Sequence, residues 1–407
     1  MGAIGWWLFG HGLAFGKDRA GGFVGSTGFA SKDETMFGSS SGDFDAIAYA
    51  NWIFQFAFAS AATTIVSGAM AERATFFAYV VHSFAITSFV YPIVAHWAWS
   101  SEGWATARPA DDSHDLLFGC GVLDFAGSGV VHVTGGLTAL MGIVILGPRI
   151  GKFNEDGTSN TMPQQSAVLQ TLGTFILWWG WFGFNAGSVP SFVEMPAVAA
   201  RVMGVTAIGG AAGGIAALSV HRLQHGYWDT GGVLNGILAG LVSVTAGAAT
   251  FEPEAAFVVG LIAGLVYYCA SSLLLKLQMD DVVNAVPVHL CGGIWGLVAA
   301  ALFSSKFGYS SAYYEDRSDK CAGVFYGGSG NALAANLVFL LAQLAWVGLL
   351  SFFMFVVLKL TIGIRVSKEQ EMMGMDDSKH GGRTFPELLP GLRPMDGMSS
   401  SNSGEKL

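Results

Sequence analysis

An aspartate, a histidine and a glycine pair recur in the same order at two places, Asp124-x7-His132-x2-Gly135-Gly136 and Asp281-x7-His289-x2-Gly292-Gly293, with Val131 or Val288 directly before the histidine. Histidine is the side chain that gains and loses a proton near neutral pH, and both copies lie in apolar runs. The duplicated phrase marks a diverged internal repeat. At about 1.5 Å of helix rise per residue, each histidine is expected about 12 Å deeper than its aspartate, near the centre of a hydrocarbon core about 30 Å thick. Ionisable groups at that depth are costly and mark pathways, and sites between repeats are typical of transporters. Arriving from opposite sides, His132 and His289 could share a hydrogen bond between ring nitrogens. Apolar surroundings disfavour an imidazolium, so a neutral pair with one shared proton is expected, able to accept and pass on a proton.

The aspartates open their helices, where a carboxylate caps free amides and meets the positive end of the helix dipole. Capping is the expected role of Asp281. For Asp124 two roles stand side by side, a cap and an electrostatic element of an outer vestibule. Aromatic residues cluster at 54–58, 96–99 and 178–184. Rings at helix ends form interfacial belts, but a ring face can also hold a small cation for about 0.5–2 kcal/mol, and a phenylalanine constriction excludes water.

The elements that must position these groups are membrane helices. Of 407 residues, 52% are hydrophobic and only 12% charged, and the 56 glycines suit close helix packing. The net charge of −9, with no long basic run, argues against nucleic-acid binding. Apolar runs predict helices near 46–71, 76–98, 121–146, 164–188, 202–220, 230–250, 254–275, 282–304 and 331–363, after a piece at 2–15 too short to span. Basic residues in alternate connections place the tail from Ile364 on the cytoplasmic side and the loops at 17–45, 99–118 and 305–328 outside. Under that topology the helix after Asp124 runs inward and the one after Asp281 outward, an inverted repeat. None of the four cysteines has metal-binding spacing; Cys120 and Cys321 fall near loops on one side and could pair, whereas Cys269 and Cys291 read as packing residues. The serine-rich end at 398–407 reads as disordered.

Several segments together resemble the ammonium transporters of the Amt/Mep/Rh superfamily, most nearly the plant-type high-affinity branch. They are Ser67-Gly-Ala-Met-Ala-Glu72-Arg73, Leu123-Asp124-Phe-Ala-Gly-Ser-Gly-Val-Val-His132, Gly147-Pro-Arg149-Ile-Gly151, Gly180-Trp-Phe-Gly-Phe184-Asn185-Ala-Gly-Ser188 and Val288-His289. The resemblance, from Phe54 to His380, implies an all-α polytopic fold of two inverted five-helix halves plus a last long helix. It also implies a homotrimer with one pore per subunit in a lipid bilayer, with ammonium and methylammonium as substrates, neither enzyme activity nor a cofactor, and a plasma-membrane location. Trp99 and Ser188, with Phe54 beside them, then correspond to the outer recruitment site, Phe58 and Phe184 to the stacked gate, His132 and His289 to the twin histidines, and Asp124 to the aspartate beneath the vestibule. Residues 1–363 become the transport domain and 364–407 a cytoplasmic regulatory tail. In that tail Gly374, Asp376 and Ser378 match a regulatory segment whose hydroxyl residue is a phosphorylation switch, so a kinase is an expected partner.

Set against the family pattern, the first helix and the first half of the second have no counterpart here, so Met1 reads as an internal start or the start of a truncated gene model. Three other readings compete. An ammonium sensor with little flux uses the same residues. An Rh-like ammonia channel fits less well because that branch usually lacks an aromatic equivalent of Trp99. An electron carrier could use His82 and His96, 14 apart on one helix, as haem ligands, but needs matching histidines on a facing helix.

Overall fold

The computed structural model describes residues 1–32, 46–109 and 115–382. The chain forms two compact units, Met1–Arg365 and Val366–Leu407. Among the described residues the first unit is a bundle of ten principal helices: α1 (2–15), α2 (Ala46–Ala69), α3 (Phe76–Trp99), α4 (Ser128–Leu146), α5 (Ala167–Ala186), α6 (Pro196–His225), α7 (Thr230–Thr245), α8 (Pro253–Lys276), α9 (Val286–Phe303) and α10 (Asn331–Thr361). Seven of them, α2, α3, α4, α6, α8, α9 and α10, are long and apolar enough to cross a membrane. The chain is a multi-pass membrane protein. Local chemistry fixes the helix starts: Thr75 caps α3, Ser166 caps α5, the Asp229 carboxylate takes the Gly231 and Gly232 amides at the head of α7, and prolines occupy the first turns of α6 and α8.

The two histidine helices begin later than the apolar runs predict, α4 at Ser128 rather than 121 and α9 at Val286 rather than 282. Gly127 has φ of 103°, a conformation closed to most side chains, and it breaks the chain direction just before α4. Asp124 therefore lies beside the first turn instead of forming part of it. Only four residues of helix separate the start of α4 from His132, about 6 Å of rise rather than the 12 Å expected from Asp124. Apolar composition continues through 121–127 and hides this break from a reading by hydropathy alone. Elsewhere α6 extends past the expected 202–220 at both ends, and α7 stops at Thr245, where the chain turns at 246–250 instead of continuing as helix.

Both histidine helices open with a π-helical segment, Ser128–Val133 in α4 and Val286–Cys291 in α9. The opening segment of each packs against the later part of the other, so α4 and α9 lie antiparallel. The paired glycines of the repeated phrase make this approach possible. A Cβ on Gly136 would sit 2.3 Å from the Leu290 amide nitrogen, and one on Gly293 would sit 2.5 Å from the Ser128 carbonyl oxygen. Equivalent glycines thus admit each helix to the backbone of the other, the use membrane proteins make of small residues.

At one end of the pair an ionic network joins the Glu72–Arg73 turn and the Arg149 turn to Asp280. Arg149 binds the Asp280 carboxylate with Nε at 2.8 Å and Nη2 at 2.9 Å and also reaches Glu72, while Arg73 donates to the carbonyls of Asp280 (2.7 Å) and Gly147 (2.8 Å). Burial pushes the Asp280 carboxyl up, but the Arg149 hydrogen bonds outweigh it and hold the group below the usual carboxylate range. At the opposite end, a disulfide links Cys120 to Cys321, realising the pairing that the sequence left open. Cys269 is exposed and Cys291 partly buried. In the second unit two short helices, Lys368–Met373 and Met375–Lys379, meet at Gly374. The serine-rich end at 398–407 lies outside the described residues.

Candidate functional site

A cavity of about 120 Å³ opens where α2, α3 and the end of α5 meet the loops after α3, and Phe54, Phe58, Trp99, Asp124 and Ser188 line it. The Trp99 indole N–H donates to the Asp124 carbonyl at 2.8 Å, which fixes the ring and leaves its surface as what it offers a guest. Ser188 donates its hydroxyl hydrogen to the Phe184 carbonyl at 3.0 Å, leaving the oxygen free to accept. A ring face and a hydroxyl acceptor on one small cavity can hold a cation with N–H donors.

Asp124 is 2% exposed, and its carboxylate accepts from the amides of Gly127 (3.0 Å), Gly129 (3.0 Å) and Val130 (2.8 Å). These are donors at the start of α4 that no helical carbonyl can satisfy. Of the two roles expected for Asp124, the cap is thus visible in three bonds, and the residue also contributes to the cavity wall. Asp281 is the less engaged counterpart, accepting from Val286 N at 2.7 Å at the head of α9.

Below the cavity the rings form a continuous file. Phe54 packs edge-on against Phe58 with centroids 4.7 Å apart, Phe58 meets Trp99 at 5.5 Å, and Phe58 and Phe184 overlap at 4.2 Å. Phe58, 1% exposed, seals the floor. Phe184 stacks on His132 at 5.5 Å, and His132 on His289 at 5.1 Å with the planes 24° apart. The two Nδ1 atoms are 3.2 Å apart, a hydrogen bond that forms when one carries a proton and the other accepts it. His132 Nε2 is buried with no hydrogen-bond partner among the described residues, which leaves it available to a guest beneath the Phe58 and Phe184 rings.

All the predicted pore residues, Phe54, Phe58, Trp99, Asp124, His132, Phe184, Ser188 and His289, fall along this one file or its mouth. The tail residues belong to the second unit. There Ser378 Oγ donates to the Gly374 carbonyl at 2.7 Å, Gly374 has φ of 91°, and the Asp376 carbonyl accepts from Gly382 N at 3.0 Å. Among the described residues neither haem candidate is seen paired with a second histidine: His96 Nδ1 is 2.8 Å from the Ala14 carbonyl, and His82 lies among the rings of Tyr79 and Phe355.

Three groups contribute to the site without a role assigned to them from the sequence. Trp181 stacks on His132 at 5.2 Å and is fixed by its N–H to Thr245 Oγ1 at 3.0 Å. Asn336 and Gln343 of α10 reach the head of α4: Asn336 Oδ1 accepts from Leu123 N at 2.8 Å, and Gln343 Nε2 donates to the Gly129 carbonyl at 2.7 Å. Their signal was present, because two amides seven residues apart on an otherwise apolar helix share one face. Arg108, Phe125 and Tyr313 complete the cavity wall from loops and carry no such signal.

Comparison with known proteins bears on this arrangement. The Ammonium Transporter Family model matches residues 1–385. Ammonium transporter 1 member 1 of Arabidopsis thaliana is 39% identical over 394 residues, covering 94% of this chain and 76% of that relative. Ammonium transporter 1 member 2 of Oryza sativa subsp. japonica is 39% identical over 400 residues, covering 94% and 77%. Among solved structures, one described as Sensor Amt Protein has a TM-score of 0.79 at 31% identity, covering 93% of this chain and 86% of its own. Saccharomyces cerevisiae Mep2 has a TM-score of 0.76 at 26% identity, covering 90% and 78%. With the family model matched along nearly its whole length and plant relatives 39% identical, the chain belongs to the ammonium transporter family.

Proposed function

We propose that this protein carries ammonium across a membrane by recruiting it at the Trp99 and Ser188 cavity and removing a proton there. Neutral ammonia then crosses the Phe58 and Phe184 gate while the proton passes separately through His132 and His289. The observation that carries this reading is the unbroken file from the cavity to the histidine pair, closed to water at Phe58. Desolvating an ammonium-sized ion costs about 20 kcal/mol in the idealised Born limit, against about 0.5–2 kcal/mol returned by a ring contact. A bare ion is therefore excluded by the gate, and a neutral molecule is not. The separate proton makes the net event electrogenic uptake, with methylammonium competing and potassium, which has no proton to give up, refused.

The same reading assigns residues 1–363 to transport and 364–407 to regulation, in a homotrimer of the plasma membrane. A kinase acting on Ser378 would place nearly two negative charges where the hydroxyl now binds Gly374, and so disturb the local fold of the tail.

The test is the ammonium-evoked current of the full chain in a cell membrane. A saturable current is expected, lost on His132→Ala and with a raised half-saturating concentration on Trp99→Ala; a potassium current through the intact protein would sink the deprotonation step. The likeness to the Sensor Amt Protein supports a second reading, in which ligand binding signals with little flux. A correctly assembled protein that binds ammonium and passes no current would favour it.

A further inference from the structure

The cavity that takes up a cation has a cation in its own wall. Arg108 lines it beside Trp99, Ser188 and Asp124. Its guanidinium lies 4.8 Å from the centre of the Tyr313 ring and 5.5 Å from that of Phe125, and Nη2 donates to the Ala312 carbonyl at 3.0 Å. Its amide donates to Thr106 Oγ1 at 3.2 Å. The Cys120–Cys321 disulfide ties together the two loops that supply these contacts. The guanidinium is thus held in place by two rings and a carbonyl.

Among the described lining residues Asp124 is the one carboxylate; its charge offsets part of that of Arg108, and its oxygens are anchored to three backbone amides at the head of α4. Burial pushes the Tyr313 phenol up to about 12, with Arg108 drawing it down, so Tyr313 stays neutral at physiological pH. A fixed positive charge raises the energy of an entering cation in proportion to that cation's charge. Ammonium meets this penalty once and has the Trp99 face and the Ser188 oxygen to offset it. Magnesium or calcium meets it twice and, being strongly hydrated, gains little from a ring.

We propose that Arg108 is a specificity-determining residue, which keeps divalent cations out of the recruitment cavity by their charge while admitting ammonium. The inference rests on the cavity being the entry site for ammonium.

Ammonium-evoked current in the full chain tests it, with magnesium added as a blocker. Arg108→Gln should lower the half-saturating ammonium concentration about threefold. The magnesium concentration that halves the current should fall by about the square of that factor, roughly tenfold, because the interaction scales with charge. Arg108→Lys should behave as wild type. Unchanged magnesium block, or equal shifts for both ions as a packing change would give, overturns the proposal. Should Arg108→Gln fail to reach the membrane, Arg108→His titrates the charge in place, beside Tyr313, Phe125 and Asp124, with an ordinary histidine pKa of about 6.5. Its magnesium block, taken relative to wild type, should tighten between about pH 5.5 and 7.5; no such tightening overturns the proposal. A silent wild type would overturn the transport reading and this inference together, whereas a conducting wild type with an indifferent Arg108 removes the inference alone.

Discussion

The two halves of the repeat carry the same phrase but bear different loads. Asp124 secures three amides at the head of α4 and, through its own carbonyl, the Trp99 ring. Asp281 secures the Val286 amide at the head of α9. His132 is 2% exposed between Phe184, Trp181 and its partner, whereas His289 is only partly buried. The half that begins at the cavity is built around the packed rings of Phe58, Phe184 and Trp181, and the other half lacks that sheath. Symmetry is kept in the backbone contacts and relaxed in the side chains, which teaches that the repeat supplies a scaffold and the surrounding helices supply the direction.

The largest expected effect breaks this comparison at the aspartates. Asp124→Ala leaves three buried amides without acceptors, at about 1–3 kcal/mol each, and should destabilise the protein by about 3–9 kcal/mol. Asp281→Ala should cost about 1–3 kcal/mol by the same reasoning. Thermal unfolding of the detergent-purified variants measures both, and equal losses would show that the halves are loaded alike.

Next come the glycines, where the halves should agree. Gly136→Ala and Gly293→Ala each push a methyl group into the opposing helix backbone, and each should cost about 1–3 kcal/mol as overpacking does. A loss at one position with none at the other would mean that the close approach is energetically one-sided.

The smallest effect concerns the ionic network that fastens one half to the other. The Asp280 carboxyl has a depressed pKa, so its stabilisation is present above its ordinary value of about 3.9 and disappears as the pH falls through the lower folded value. Asp280→Asn keeps an acceptor for Arg149, which also holds Glu72, so the loss at neutral pH should be about 1 kcal/mol. Unfolding midpoints of wild type and variant should converge as the pH drops below about 4. A gap that persists in acid would show that the charge on Asp280 contributes nothing.

Much of this was legible in the sequence because membranes make composition informative. Long apolar runs gave the helices from α2 to α10 to within a few residues at most ends, and the repeated phrase pointed to His132 and His289 before any geometry was known. The aromatic clusters holding Phe54, Phe58 and Phe184 are visible in the sequence, but which of their rings line one file is legible only through family likeness, since any of them could belong to an interfacial belt. The starts of α4 and α9 were misjudged for a related reason: 121–127 is as apolar as a helix, and what ends the helix there is the backbone of Gly127. Arg108 and Tyr313 were invisible because loops bring them to the cavity, and no periodicity connects positions so far apart.

The Cys120–Cys321 bond fixes more than two loops. Such bonds persist in oxidising compartments and are rare where glutathione and thioredoxin keep thiols reduced. The cavity bearing Trp99 lies on the same side as this bond, joined to it through Arg108 and Ala312. For the bond to persist, that mouth must face an oxidising compartment, a condition on sidedness drawn from redox chemistry without counting a single lysine or arginine.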